Sequence, residues 1–308
     1  MKLVIQIPCY NEAASLPLTI AQLPRDVPGC DTVEWLVIDD GSDDDTPELL
    51  ARYGDQIRVV RQQNRGVAAS RNLGASLASG ELLAFLDADD VWAPRKLALQ
   101  AKRYEEEAGL GLVHCGLLKI DAAGKVLAEC ASGSEGDVAI QMLREIRSII
   151  LAGGSGALIP RSVFDEVGGF DERLSTSADW DLFYRIARTH RVAFVPEALY
   201  KYRLHGRNMH RDARTLERDM LLVYDKAFAS APSTVQSYRN ACYGQLHALL
   251  AGAFFADGDI RNFLRHATAS IAFAPGNLVR FGALPALRCR QFLHGRATRL
   301  RARESTYP

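Results

Sequence analysis

Asp87, Asp89 and Asp90 close the apolar run FLDADD, three carboxylates within four positions. At neutral pH such groups repel one another unless a cation sits among them. In extended chain, residues i and i+2 point the same way, so Asp87 and Asp89 can share one cation. Hard divalent ions such as Mg2+ and Mn2+ take oxygen ligands, often one or two carboxylates completed by phosphate oxygens and water. The same acids would also suit a turn ahead of a helix opened by Pro94. Alone, the D-x-D leaves both readings open.

Other segments carry chemistry of a matching kind. VIDDGSDDDT (37–46) places Asp39 and Asp40 before a Gly-Ser turn. A carboxylate there can accept the N3–H of a uracil ring, and the ring of Tyr10, in PCYNE, can stack on a base. The plainer alternative is a turn in which Asp44 or Asp45 caps a helix at Thr46-Pro47. NRGVAASRNLG (64–74) puts Arg71 early in a helix that follows Gly66. An arginine there is either a surface residue or the group that neutralises a diphosphate.

The elements that must position these residues alternate. Apolar strands are expected at 3–7, 34–39, 57–61 and 81–87, and helices at 13–23, 46–53, 67–78 and 94–107. Such alternation gives an α/β fold, a mostly parallel sheet covered by helices on both faces. Ligands of such sheets sit outside the carboxyl ends of the strands. PCYNE, DDGSDDDT, QQNRG and DADD each follow one of these strands, so all four should converge on one edge. After residue 110 the pattern becomes an antiparallel pair around AAGK, a loop at ASGSEGD, a helix, a small-residue strand in GGSGALIP and a helix over 161–167. A helix over 178–189 and extended chain in RVAFVPEALYKYRLH follow. Beyond about 212 the spacing is helical, with a hairpin at ADGD.

At 308 residues the chain can form one large domain or one domain with an appendage. Hydrophobic and charged fractions of 48% and 24% are those of an ordinary globular protein. Lys+Arg and Asp+Glu are both 37, which gives no reason to expect nucleic acid. From Gly276 onward, however, seven arginines (280, 288, 290, 296, 299, 301, 303) face one acid, Glu304. That segment could contact an anionic membrane surface peripherally, or be a solvated tail. Six scattered cysteines without a C-x-x-C pair suggest a reducing compartment. With no apolar run near the ~20 residues that cross a bilayer, a cytoplasmic location is expected, with membrane contact only from the inner face.

Taken in order, IPCYNE, VIDDGSDDDT, NRGVAASRNLG, AFLDADDVW, VGGFDE, ADWDL and YRLHGRN resemble glycosyltransferase family 2, over residues 1 to about 210. The resemblance implies a GT-A fold, a Rossmann-like, mostly parallel sheet flanked by helices. Residues 1–110 would be its nucleotide-binding half and 111–210 its acceptor and catalytic half, with 211–308 a C-terminal helical extension. It implies metal-dependent, inverting transfer from a nucleotide-diphosphate sugar, expected to be a UDP-sugar, to a saccharide or lipid-linked saccharide hydroxyl. Polysaccharide, lipopolysaccharide or glycoconjugate synthesis would be the setting. By the same resemblance, the nucleotide falls to Pro8, Tyr10, Glu12, Asp40, Arg71, Asp87 and Ala88. Mn2+ or Mg2+ falls to Asp87, Asp89 and His205, and the acceptor side to Gly169, Phe170, Asp171 and Trp180.

The resemblance also assigns the catalytic base to Asp179. An attacking hydroxyl must lose its proton, and a carboxylate is the usual group that takes it. A diphosphate leaving group held by cations needs no general acid. Where the family usually has Glu-Asp, this chain has Ala178-Asp179; Asp181 could partly substitute for the missing carboxylate, though helix geometry makes it face elsewhere. Ala178 keeps a sugar-nucleotide-binding module without turnover as an alternative. A nucleotidyltransferase is a further one, although it would ordinarily want a Gly-rich triphosphate loop that IPCYNEAAS lacks.

Overall fold

The apolar runs at 3–7, 34–39 and 81–87 become largely buried strands because their side chains are apolar on both faces, as a sheet covered on both sides requires, whereas the run at 57–61 forms an exposed edge strand. β1 (Lys2–Cys9) is the clearest case, with all but its first residue buried. The computed structural model describes residues 1–145, 148–204, 212–229 and 231–282. The further strands are β2 (Thr32–Asp39), β3 (Arg58–Arg61), β4 (Leu82–Phe85), β5 (Val91–Trp92), β6 (Leu110–Asp121), β7 (Val126–Cys130), β8 (Leu158–Pro160) and β9 (Arg191–Leu204). They form one sheet in the order β3-β2-β1-β4-β8-β6-β9-β5, with β7 paired to β6.

β1 runs parallel to β2 and to β4, and β2 parallel to β3. Their register aligns Cys9 with Asp39 and Asp39 with Arg61, so the loops after these strands leave from one edge. Leu86 continues the alignment by donating its N–H to the Gln6 carbonyl at 2.9 Å. The expected α/β sheet with a convergent polar edge is therefore present. β8 enters antiparallel between β4 and β6, while the long β9 runs parallel to β6 and ends against β5.

Helical boundaries are tighter than the sequence pattern. The helix expected over 13–23 condenses to Leu16–Ile20, with Pro17 in its first turn. Asn11, at φ 57°, turns the chain just before it. β5 was not expected at all, since two residues are too short to show a period.

The chain divides into two compact units, Met1–Ala227 and the segment from Phe228 onward. Helix Ala213–Ala229 reaches the end of the first. The second contains helices Arg239–Ala256 and Ile260–Phe273, the expected hairpin. Asp259 caps the second helix by accepting the Asn262 N–H at 3.1 Å. No helix among the described residues is long and apolar enough to cross a membrane. Cys9, Cys30, Cys115, Cys130 and Cys242 all carry free thiols.

Lys96 is wholly buried beneath Trp92, its ammonium 4.1 Å from the ring centroid and donating to Gln100 Oε1 at 2.8 Å. Burial pulls its pKa down to about 8, with a small opposing effect from Cys115. Because the folded value lies below the unfolded one, stability is greatest above both and is lost as pH falls through about 8. Lys96→Met is expected to raise the melting temperature near pH 7 by an effect worth about 1–3 kcal/mol, and to gain less near pH 10. Scanning calorimetry at the two pH values checks it, and a gain that grows with pH would contradict it.

Candidate functional site

Arg71 lies on helix Val67–Leu77, whose face packs under β1, and its side chain is 3% exposed. Its guanidinium donates from Nη2 to Asp87 Oδ1 at 2.5 Å and from Nη1 to Asp179 Oδ1 at 2.7 Å. One cation thus joins the end of β4 to the first turn of helix Ala178–Ala187. The guanidinium carbon stands 5.2 Å from the centroid of Phe170, which packs edge-on to Phe85. Desolvation opposes the charge on Arg71, but Asp179 and Asp87 outweigh it and its pKa ends above the ordinary arginine value. Arg71 Nε is buried without a hydrogen-bond partner.

Asp179 and Asp87 keep 26% and 28% of their side chains exposed. Burial nevertheless raises the Asp179 carboxyl above the usual carboxylate range; Arg71 pulls it back and Asp87 adds to the rise. Gly154 forms the wall of this node. A Cβ there would collide with Arg71 Nη2 and both Asp87 oxygens, so only a bare Cα lets the ion pair close.

The acids of DADD divide by burial. Asp90 is sealed, with Oδ2 accepting from Ser155 Oγ at 2.6 Å and Oδ1 from the Arg203 N–H at 3.0 Å. Burial, reinforced by Asp87 and Asp89, pushes its pKa well above the ordinary value. Ser155 Oγ also accepts the Asp87 N–H at 3.0 Å. Asp90 therefore builds the turn, while Asp87 and Asp89 stay partly open. Among the described residues no three His, Cys, Asp or Glu side chains gather into a ready metal cage. Two partly open carboxylates, with Asp87 Oδ2 bordering the space over Gly154, suit an ion whose shell phosphate and water complete. His205, expected as a third ligand, lies outside the described residues, as does Arg207. Arg203 is turned to backbone, donating to the Asp89 carbonyl at 2.9 Å.

PCYNE and DDGSDDDT are laced together. Asn11 Oδ1 accepts the Asp43 N–H at 2.9 Å, its Nδ2 donates to Asp43 Oδ1 at 2.6 Å, and the Glu12 N–H donates to Thr46 Oγ1 at 3.0 Å. Pro8 and Ala88 are buried, whereas Tyr10 is 47% exposed. Asp40 accepts from Gln62 Nε2 at 2.6 Å, the Arg65 N–H at 3.0 Å and the Gly66 N–H at 2.8 Å. Three donors hold the carboxylate in place and leave acceptor capacity on Oδ2. Asp44, rather than Asp45, accepts the Thr46 N–H, at 2.9 Å.

On the other flank, Asn72 brackets Phe170, accepting its N–H at 2.8 Å and donating to its carbonyl at 2.9 Å. Gly169, at φ 66°, permits that approach. Phe170 itself is buried, and Asp171 is held by Arg173 Nη2 at 2.7 Å and Lys226 Nζ at 2.6 Å. The Arg173 hydrogen bond, helped by Lys226, keeps the Asp171 carboxyl far below its usual range. Asp181 faces away, toward Arg185 and Lys226. Trp180 stacks on Tyr184 and Tyr224 with ring centroids 5.4 and 5.8 Å away. Gly154, Ser155, Asn72 and Lys226 are not among the site residues expected from the sequence. The Gly-Ser run in GGSG and the Asn directly after Arg71 were the available signals for the first three.

The family model described as Glycosyl transferase family 2 matches residues 4–168. A glycosyltransferase of Nostoc sp. is 30% identical over 230 residues, covering 69% of this chain and 68% of its own length. One from Rickettsia prowazekii is 30% identical over 211 residues, and this chain spans 64% of it. Among solved structures, S. aureus TarS 1-349 in complex with UDP-GlcNAc superposes with a TM-score of 0.63 at 15% identity, covering 89% of this chain and 82% of that one. The mannosyltransferase PcManGT from Pyrobaculum calidifontis, in complex with GDP-Man and Mn2+, gives 0.59 at 21% identity over 92% and 80%. The sheet is the GT-A fold of these proteins.

Gly154→Ala must part the Arg71–Asp87 pair or displace the 152–156 loop. A loss of about 1–3 kcal/mol is expected from this overpacking. Urea denaturation checks it, and an unchanged midpoint at unchanged slope would show that the node has slack.

Proposed function

The chain belongs to glycosyltransferase family 2, and from that premise we propose that it is a metal-dependent, inverting glycosyltransferase acting on a UDP-sugar. The acceptor is a saccharide or lipid-linked saccharide hydroxyl, in polysaccharide, lipopolysaccharide or glycoconjugate synthesis. The observation that carries this reading is the single guanidinium of Arg71 donating to both Asp87 and Asp179. In this reading the leaving-group side and the base side each take one terminal nitrogen of the same buried guanidinium. The nucleotide-sugar complexes of the two structural relatives support the donor class.

In this reading Tyr10 stacks on the base and Asp40, held by three donors, accepts its ring N–H. Pro8, Glu12 and Ala88 shape the same pocket. Arg71 offers its charge to the diphosphate. A divalent ion held by Asp87 and Asp89 supplies further positive charge to the departing diphosphate when bound. Asp179 takes the proton of the acceptor hydroxyl, whose oxygen attacks the anomeric carbon opposite the diphosphate and inverts its configuration. The raised carboxyl of Asp179 makes it a better proton acceptor than an ordinary aspartate. Residues 168–172 and Trp180 flank the acceptor side. The arginines after residue 276 support peripheral contact with an anionic membrane, which would suit a lipid-linked acceptor.

Asp179→Asn is expected to lower transfer about 100- to 10,000-fold, the range of a general base. Stabilisation by UDP with Mn2+ in a thermal-shift assay should persist, because Arg71 keeps its Asp87 partner and Tyr10 and Asp40 do not touch Asp179. Undiminished turnover would remove Asp179 from the mechanism.

A further inference from the structure

Helix Ala178–Ala187 begins without a cap of its own, for its N-cap Ser177 makes no side-chain hydrogen bond to the helix. The turn that leads into it is held instead by a residue of helix Ala213–Ala229. Asp219 Oδ2 accepts the N–H groups of Ser175 at 2.8 Å, Thr176 at 2.8 Å and Ser177 at 3.3 Å, and the Thr176 hydroxyl at 3.3 Å. Its Oδ1 accepts from Arg218 Nε at 3.1 Å and Nη2 at 2.8 Å. The carboxylate is completely buried. Successive N–H groups in a turn form a concavity for an anion, and a negative charge also suits the positive end of the following helix. Here the anion is the chain's own carboxylate, more than forty positions downstream. The same helix supplies Lys226, which binds Asp171 and Asp181, and Tyr224, which stacks on Trp180. All three lie outside the segment matched by the family model.

We propose that Asp219 is a positioning residue of the transfer reaction: it sets the 175–177 turn so that Asp179 reaches Arg71 Nη1. The proposal rests on the reading of Asp179 as the base. Without a charged acceptor, the three amides are poorly satisfied and the turn relaxes. Asp179 then leaves Arg71, the contact that pulls its pKa down. The charges that shift Asp179 are those of Arg71 and Asp87, so loss of Asp219 acts on it through position.

The test uses the full chain with Asp219→Asn and Asp219→Ser, each compared with the parent and with Asp179→Asn. Transfer to acceptor is followed across pH, alongside thermal stability and UDP–Mn2+ binding. In whichever variant folds, kcat is expected to fall about 100-fold, the scale of a small misplacement, with the KM for donor unchanged. The acid limb of kcat is expected to move to higher pH, which a loss of folded protein alone would not produce. Parent kcat with an unmoved limb, while Asp179→Asn is inactive, overturns the positioning role and leaves the base assignment standing. If neither variant folds, Asp219 serves the fold rather than the reaction and the proposal falls equally. An active Asp179→Asn instead overturns the base assignment itself.

Discussion

A buried arginine shared by two carboxylates is the constraint on which this molecule turns. Arg71 is the meeting point of helix Val67–Leu77, the end of β4 and helix Ala178–Ala187. Removing one partner from a buried ion pair costs several kcal/mol, because the remaining charge stays desolvated. Each of the three elements is therefore held to the other two. The planar fork of the guanidinium fixes direction as well as distance, which a lysine at this position would not do. Phe170 under its face and the bare Gly154 beside it complete the fit.

Around this node the aspartates fall into two groups. Asp40, Asp90, Asp181 and Asp219 are buried and occupied by backbone amides, hydroxyls or cations of the chain. Asp90 and Asp219 order the turns beside them by accepting otherwise orphaned donors, Asp181 is neutralised by Arg185 and Lys226, and Asp40 is held by three donors with acceptor capacity left on Oδ2. Asp87 and Asp89, just beyond β4, and Asp179, in the first turn of helix Ala178–Ala187, remain partly open. The open set is what a charged ligand can reach. Burial and hydrogen bonding thus separate residues that look alike in the sequence.

Much of this is legible in the sequence. β1, β2 and β4 announce themselves as continuous apolar runs, and the polar residues that follow them mark the ligand edge of a parallel sheet. The order of motifs carried the family and the GT-A fold. Features that depend on distant pairing were not legible. β5 is two residues long, and β8 inserts antiparallel between β4 and β6 without any local signal. Nothing in FDE shows that Asp171 is taken up by Arg173 and Lys226, since Lys226 is fifty-five positions away. Asp219 is hidden for the same reason, an acid on an amphipathic helix whose partners are amides of another segment. The buried lysine under Trp92 also escaped, because a single charge at the start of a helix reads as surface.

The central claim is that Arg71 holds Asp179 electrostatically as well as sterically. The pH dependence of residual transfer by Arg71→Gln, set beside that of the parent, tests this most directly. Loss of the cation that pulls the Asp179 pKa down should carry the acid limb to higher pH. A limb that stays in place, or moves to lower pH, would mean that the two side chains are not coupled in the working enzyme.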